Sequence, residues 1–210
     1  MQECPKGRYG DAPGLGSQSQ CKNCSSGKYG LDNDPFKTSN AQCRLCGVGR
    51  YNSNAGVVHA FEKTPADPTY DNTLCSSRCP AGKWSAQTGL STAAQCKGDC
   101  SAGKYATGTG YSSDAECLGR CTFGQYANKS GMSSSAACTA CDEGKYTDAL
   151  LRTVCSDCPT ARYVNVTGAT VCESCHRGEY AIAEGNTACA ICAPGKYSAD
   201  RDIRVFCLEC

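Results

Sequence analysis

The chain has few of the residues that normally build a hydrophobic core. Leu, Ile, Val and Phe together account for 24 of its 210 residues, too few for a conventional globular domain. Such compositions are typical of disordered proteins, but those also carry a high net charge. Here 21 basic residues oppose 20 acidic ones, so the formal net charge is +1. That balance removes any general case for nucleic-acid binding.

Several other functional classes lack their sequence signals. The chain has no run of 18 apolar residues, so we expect no membrane span. No apolar signal segment precedes the first cysteine, and we expect this stretch to belong to a longer secreted protein. The two histidines are His59, in an insertion, and His176, beside a cysteine. Both are interpreted as surface residues, so we expect no enzyme and no cofactor.

Cysteine is abundant where core residues are scarce. There are 21 cysteines, a tenth of the chain, and their disulfides would restrict the unfolded ensemble strongly enough to replace a core. Disulfides persist in oxidising compartments. We therefore expect a secreted, extracellular or cell-surface protein.

One short motif organises the whole chain. Cys, two residues, Gly, one residue and an aromatic recur ten times, ending on Tyr except for Trp84 in the fourth copy and keeping the Gly except for Ala161 in the eighth. A recurring motif of this kind is the signature of a repeat array. We divide the chain into ten repeats, the third of which carries an insertion: 4–23, 24–45, 46–78, 79–99, 100–120, 121–140, 141–157, 158–174, 175–191 and 192–209.

The middle repeats indicate the internal design of a unit. Gly followed by an apolar residue stands at one fixed distance before three successive cysteines, as in Gly89-Leu90 before Cys96. A short strand through the aromatic, a glycine turn and a second short strand returning to the next cysteine predict one β-hairpin per repeat. The expected fold is small and disulfide-rich: an elongated tandem array of about ten short β-hairpins with little or no helix.

Three disulfide patterns are compatible with the spacing. Bonds within each Cys-x-x-Cys pair would close small rings and constrain little chain, whereas bonds across the spacer would close one larger ring per repeat. Interleaved bonds between adjacent repeats are a third pattern that the spacing does not exclude. The across-spacer pattern leaves Cys210 over and joins Cys4 with Cys21, Cys24 with Cys43, Cys46 with Cys75, Cys79 with Cys96, Cys100 with Cys117, Cys121 with Cys138, Cys141 with Cys155, Cys158 with Cys172, Cys175 with Cys189, and Cys192 with Cys207.

Two motif copies carry a resemblance to a known repeat type. Cys79-Pro80-Ala81-Gly82-Lys83-Trp84 and Cys192-Ala193-Pro194-Gly195-Lys196-Tyr197, each preceded by a spaced cysteine, resemble the cysteine-rich repeats of ephrin-receptor-like and tumour-necrosis-factor-receptor-like ectodomains. The resemblance covers the whole chain and implies the across-spacer disulfide. The six-cysteine double module of those receptors is absent.

Three functions follow as hypotheses. The first is an extracellular structural or spacer rod that associates with copies of itself into a glycosylated fibre or coat, because repeated edges favour open contacts. The second is a ligand-binding receptor ectodomain, with a contact patch at Phe61, Pro68 and Tyr70 in the third repeat. The third is a tandem zinc-ribbon protein, since paired Cys-x-x-Cys motifs also bind zinc. Three-residue pairs and unbroken chaining weigh against zinc.

Glycans are the other expected partners. Asn128 and Asn165 begin N-glycosylation sequons, and each lies two residues after a motif aromatic, so we expect both to carry N-glycans. Asn23 begins a third sequon whose middle residue is a cysteine. Basic residues before the aromatics would form a stripe for acidic glycans if the repeats stack in register. The simpler interpretation is a solvated strand edge whose aliphatic stems cover the rings.

Overall fold

Ten disulfide-bonded β-hairpins follow one another along the chain. The computed structural model describes residues 4–5, 7–31, 39–59, 75–198 and 205–210. In these ranges each repeat forms one antiparallel hairpin, which confirms the predicted tandem array of small hairpins. The described residues contain no α-helix, only five 3₁₀ helices: Gln18–Gln20, Asn40–Gln42, Ala93–Gln95, Asp114–Glu116 and Ser135–Ala137.

Each hairpin pairs a strand through the motif aromatic with a second short strand. In chain order the pairs are Arg8–Tyr9 with Lys22–Asn23, Lys28–Leu31 with Arg44–Leu45, Arg50–Tyr51 with Ser77–Arg78, Lys83–Trp84 with Gly98–Asp99, Lys104–Tyr105 with Gly119–Arg120, Gln125–Tyr126 with Thr139–Ala140, Lys145–Tyr146 with Ser156–Asp157, Arg162–Tyr163 with Glu173–Ser174, Glu179–Tyr180 with Ala190–Ile191, and Lys196–Ser198 with Cys207–Glu209. One more strand, Val58–His59, runs parallel to Lys28–Leu31.

The prediction for the second strand was wrong in its position. We expected it to return to the next cysteine, but in nine of the ten hairpins it begins after that cysteine, and in the tenth it begins at it. In the fifth repeat, for example, Tyr105 faces Gly119. The backbone N–H of Cys121 then donates to the carbonyl of Gly103 (3.2 Å) and closes the hairpin. The second strand is thus the stretch between the two cysteines of a pair.

The segment before the first cysteine of a pair has a different conformation. In the fourth repeat it forms the 3₁₀ helix Ala93–Gln95, which Thr92 and Gln95 cap reciprocally. The backbone N–H of Thr92 donates to the Gln95 side chain (3.0 Å), as the sequence Thr-x-x-Gln allows. This turn brings Cys96 to the disulfide instead of continuing a strand.

The disulfides follow the across-spacer pattern. All ten bonds join a motif cysteine to the first cysteine of the next pair, with sequence separations of 14 to 29 residues. The motif cysteines from Cys24 to Cys175 are almost completely buried. They occupy the place that Leu or Ile would take in an ordinary core.

The described residues fall into two compact units. The first comprises the described residues from 4 to 100 together with residues 106–117, and the second comprises residues 101–105 together with the described residues from 118 to 210. In the first unit, Trp84 packs against the Cys100–Cys117 disulfide of the following repeat. Tyr51 likewise packs against Leu90 and the disulfide of its following repeat.

The second unit repeats this packing. Tyr105 packs against Met132 and Cys121 of the following repeat, and Tyr146 packs against Ala169. Met132 and Ala169 are the residues that directly follow the glycine turns of their repeats. In these pairs this residue covers the aromatic of the preceding repeat, and parallel bridges join Tyr105 to Met132 and Tyr146 to Ala169.

Backbone hydrogen bonds also link successive repeats. In six repeats the N–H at the motif glycine position donates to the carbonyl of the residue after the motif aromatic of the following repeat. Examples are Gly49 to Ser85 (2.9 Å) in the first unit and Gly124 to Thr147 (2.9 Å) in the second. These repeats therefore use the following repeat to satisfy part of their backbone, as expected for units too small to fold alone.

The motif glycine has a left-handed backbone. Its φ angle is +83° at Gly103, a conformation that L-residues with a side chain rarely adopt. Ala161 occupies the same position in the eighth repeat with φ of +63°. The eighth repeat therefore keeps the turn in spite of its substitution.

Candidate functional surface

The residues after each aromatic alternate between buried and exposed positions. The first is buried in Asn52, Ser85, Ala106, Ala127, Thr147, Val164 and Ala181. The second is exposed in the same repeats, at Ser53, Ala86, Thr107, Asn128, Asp148, Asn165 and Ile182. This alternation is that of extended chain with one side against the neighbouring repeat. Its exposed side forms a recurrent surface position that we call the outer position.

Asn128 and Asn165 both lie at the outer position. Their hydroxyl partners, Ser130 and Thr167, are exposed as well. The preceding residue uses its backbone N–H to contact a following repeat, as Val164 does with Asn186 (3.1 Å). Both asparagine side chains therefore lie in solvent, while the backbone next to them is fixed by a hydrogen bond to a following repeat.

Asn23 has different surroundings. It belongs to the second strand of the first hairpin and faces Arg8. Cys24, the middle residue of the sequon, is completely buried in its disulfide. The Ser25 hydroxyl accepts a hydrogen bond from the side chain of Asn40 (3.0 Å). Two of its three sequon residues are thus engaged in the fold.

The motif basic residues are tied to their own hairpins in most repeats. Lys83, for instance, pairs with Asp99 on the facing strand at 2.6 Å. Arg162 donates to the carbonyl of Cys172 instead (3.3 Å). The remaining contacts of this kind are Lys28 with the Asn40 carbonyl, Arg50 with the Cys75 carbonyl, Lys145 with Asp157, and Lys196 with Glu209. These contacts favour the simpler interpretation, a strand edge, over a continuous basic stripe.

Two of the cross-strand contacts change the proton affinity of a side chain. The hydrogen bond that Asp157 accepts raises the pKa of Lys145. The hydrogen bond that Glu173 accepts from the phenol of Tyr163 (3.1 Å) raises the pKa of Tyr163, and partial desolvation of the phenol adds to it. These groups are exposed, so water screens the pairs and they contribute little to stability.

The remaining candidates do not gather into a site. His176 is exposed and lies 3.4 Å from Glu179 of the same turn, while the backbone of His59 belongs to the parallel strand. The proposed contact patch of Phe61, Pro68 and Tyr70 lies outside the described residues.

Neither a metal centre nor a membrane helix is found in the part of the chain that the structure describes. No three His, Cys, Asp or Glu side chains there are arranged to hold a metal ion. In nine of the ten pairs the two cysteines bond in opposite directions along the chain, so neither sulfur is a free thiolate; in the last pair Cys210 is unbonded. A zinc ribbon would require both thiolates of a pair at one ion. No helix in the described ranges is long and apolar enough to cross a bilayer.

Sequence reasoning missed one set of surface residues. The residue directly before a motif cysteine faces, across the hairpin, the residue that precedes the motif aromatic, which is basic in most repeats. It is an acid in some repeats, such as Asp99, and a base in others, namely Arg78 and Arg120. The change between acid and base at this position is visible in the sequence. Only the strand register shows which residue each of them faces.

Comparison with known proteins assigns no family. No protein-family model matches the chain, and no curated protein matches it. The resemblance to receptor-type cysteine-rich repeats is therefore supported only at the level of a tandem array of disulfide-bonded hairpins. The many disulfides indicate an oxidising compartment or an extracellular location.

Proposed function

We propose that this chain is an extracellular structural spacer. One observation carries the proposal: successive repeats contact one another through the same backbone hydrogen bonds and the same aromatic-on-disulfide packing. Such an array becomes longer as units are added, and each unit is stabilised by contacts with its neighbours. Ten disulfides would keep the spacer folded outside the cell without a large core.

Small-angle scattering of the intact, non-reduced chain tests the spacer role. A compact domain of 210 residues would have a radius of gyration of about 17 Å. We expect a clearly larger value together with the constant cross-section of a thin rod. A reduced and alkylated sample is the control for unfolded chain. A value near that of a compact domain would contradict the proposal.

We extend the proposal to association between copies. The expected route was pairing of strand edges, but the second strands are only two or three residues long, and short edges resist such pairing. Exposed apolar side chains offer a better basis. Val154, Val171 and Phe206 each stand directly before the first cysteine of a pair and are 55–63% exposed.

Electron microscopy of undenatured material tests this extension. We expect fibres or sheets of the native chain, and dispersed particles after substitution of Val154 and Val171 by Asp. Dispersed particles of the unsubstituted chain at high concentration would leave the spacer role without assembly. N-glycans at the outer position would direct association away from that surface.

A further inference from the structure

One cross-strand position has a different charge pattern from repeat to repeat. The residue before the motif aromatic faces the residue directly before the next motif cysteine. In the fourth repeat these are Lys83 and Asp99, whose charged groups are 2.6 Å apart. The seventh and tenth repeats form the same type of ion pair there. A salt bridge therefore recurs at this position in three repeats.

Two repeats place like charges there instead. Arg50 faces Arg78 in the third repeat, and Lys104 faces Arg120 in the fifth. Side chains directly opposite in an antiparallel pair lie about 5 Å apart at Cβ, and like charges at that separation repel. Asp99 shows that the hairpin accepts an acid at this place. Packing alone therefore does not require arginine.

Both arginines in the third repeat contact other parts of the fold. Arg50 donates from Nη1 to the carbonyl of Cys75 (3.3 Å). The stem of Arg78 covers Gly110 of the first unit, with its Cδ 3.2 Å from where a Gly110 Cβ would be. Arg78 itself is exposed. None of the described residues forms a hydrogen bond or ion pair with its guanidinium, so this group is open to a ligand.

These features match the requirements for binding an oxyanion. A guanidinium presents a planar fork of N–H groups that fits two oxygens of a carboxylate, sulfate or phosphate. A stem that is already held loses less freedom on binding. An anion at the Arg78 guanidinium would also be attracted by the positive charge of Arg50 on the facing strand.

We propose that the Arg50–Arg78 pair binds a sulfate or carboxylate group of an acidic polysaccharide. Arg120, which is exposed and faces Lys104 at the same register position of the fifth repeat, offers a second contact for such a polymer. Each of these contacts is shallow and carries few charges, so a single small anion would bind weakly. A polymer with repeated anionic groups compensates through a high local concentration. The inference depends on an extracellular location, but not on the spacer role.

Charge substitutions in the full, non-reduced chain test the proposal. Heparin serves as the sulfated probe and polygalacturonate as the carboxylated one, with binding measured by calorimetry at low salt. Arg78→Asp recreates the ion pair of the fourth repeat and should weaken binding about tenfold, the effect expected for one charge-assisted contact. Arg120→Asp should have a similar effect, and the double variant a larger one.

A matched control separates site binding from net charge. Arg44→Asp changes the net charge equally, at an exposed second-strand residue that faces Tyr29 rather than a base. It should weaken binding no more than about twofold, because distant exposed charges are largely screened. The converse variant, Asp99→Arg, creates a third like-charge pair opposite Lys83 and should strengthen binding. Disulfide mapping verifies that each variant is folded.

Several outcomes would overturn the inference. Equal losses for Arg44→Asp and Arg78→Asp would reduce the effect to net charge, and no gain for Asp99→Arg would show that register does not make the site. If polyglutamate or anionic lipid vesicles bind more tightly than either polysaccharide, the proposed class of partner is wrong. None of these outcomes alters the scattering profile, so they leave the spacer proposal to its own test.

Discussion

The left-handed motif position allows backbone strain to be separated from steric overlap. Gly103, Gly178 and Ala161 share this position, with φ angles of +83°, +79° and +63°. A Cβ on Gly103 would lie 2.7 Å from the carbonyl oxygen of Leu151, whereas a Cβ on Gly178 would meet nothing within 4 Å. Three substitutions follow: Ala161→Gly removes strain, Gly178→Ala adds strain alone, and Gly103→Ala adds strain and overlap.

The expected magnitudes differ enough to be ranked. A side chain in the left-handed region costs about 1–2 kcal/mol, and the greater freedom of unfolded glycine offsets about 0.4–1 kcal/mol of this. Ala161→Gly should therefore stabilise its repeat by about 0.5–1 kcal/mol, and Gly178→Ala should destabilise by a similar amount. Overlap adds about 1–3 kcal/mol, so Gly103→Ala should cost about 1.5–4 kcal/mol in total.

Native-state hydrogen exchange measures each effect where it arises. In every repeat a cysteine N–H closes the hairpin on the motif position: Cys121 on Gly103, Cys175 on Ala161, and Cys192 on Gly178, at 3.2, 3.0 and 2.7 Å. The exchange rates of these amides report the free energy of local opening. Effects should be confined to the substituted repeat and its neighbours, as in other linear arrays.

The ranking can fail in two informative ways. If Ala161→Gly opens its hairpin more readily, the turn of the eighth repeat is not strained. If Gly103→Ala and Gly178→Ala cost the same, the close approach of Leu151 to Gly103 does not exist in solution. Either result would refute the reasoning from backbone geometry.

The other predictions concern the disulfides, the aromatics and the glycans. Non-reducing peptide mapping should recover Cys100 bonded to Cys117, and bound zinc with free thiols would contradict it. Trp84→Ala should increase exchange in the following repeat, because Trp84 covers the Cys100–Cys117 disulfide, at a cost of about 3 kcal/mol or more; global unfolding would contradict a linear array. Intact glycopeptide mass spectrometry should find N-glycans at Asn128 and Asn165 in natively sourced material, and two bare sites would refute the assignment.

The repeat motif could be recognised from the sequence because its residues meet local requirements. Cys, Gly and an aromatic at fixed spacing each meet a local requirement, namely a disulfide, a left-handed turn and a ring to cover it. The cysteine count also predicted the oxidising compartment. Even the exception was visible, since Ala161 alone departs from glycine at the motif position.

Tertiary structure decided the pairings that have no local signal. A two-residue strand such as Gly119–Arg120 is too short to show a hydrophobic periodicity in the sequence. Its position follows from the tertiary structure, in which the N–H of Cys121 donates to the carbonyl of Gly103. The same register set Arg78 opposite Arg50 and Asp99 opposite Lys83. Composition determined that cysteine would replace a core. Each hairpin is too small to satisfy its own backbone. Hydrogen bonds and packing between successive repeats therefore determined which surfaces stay exposed and available to partners.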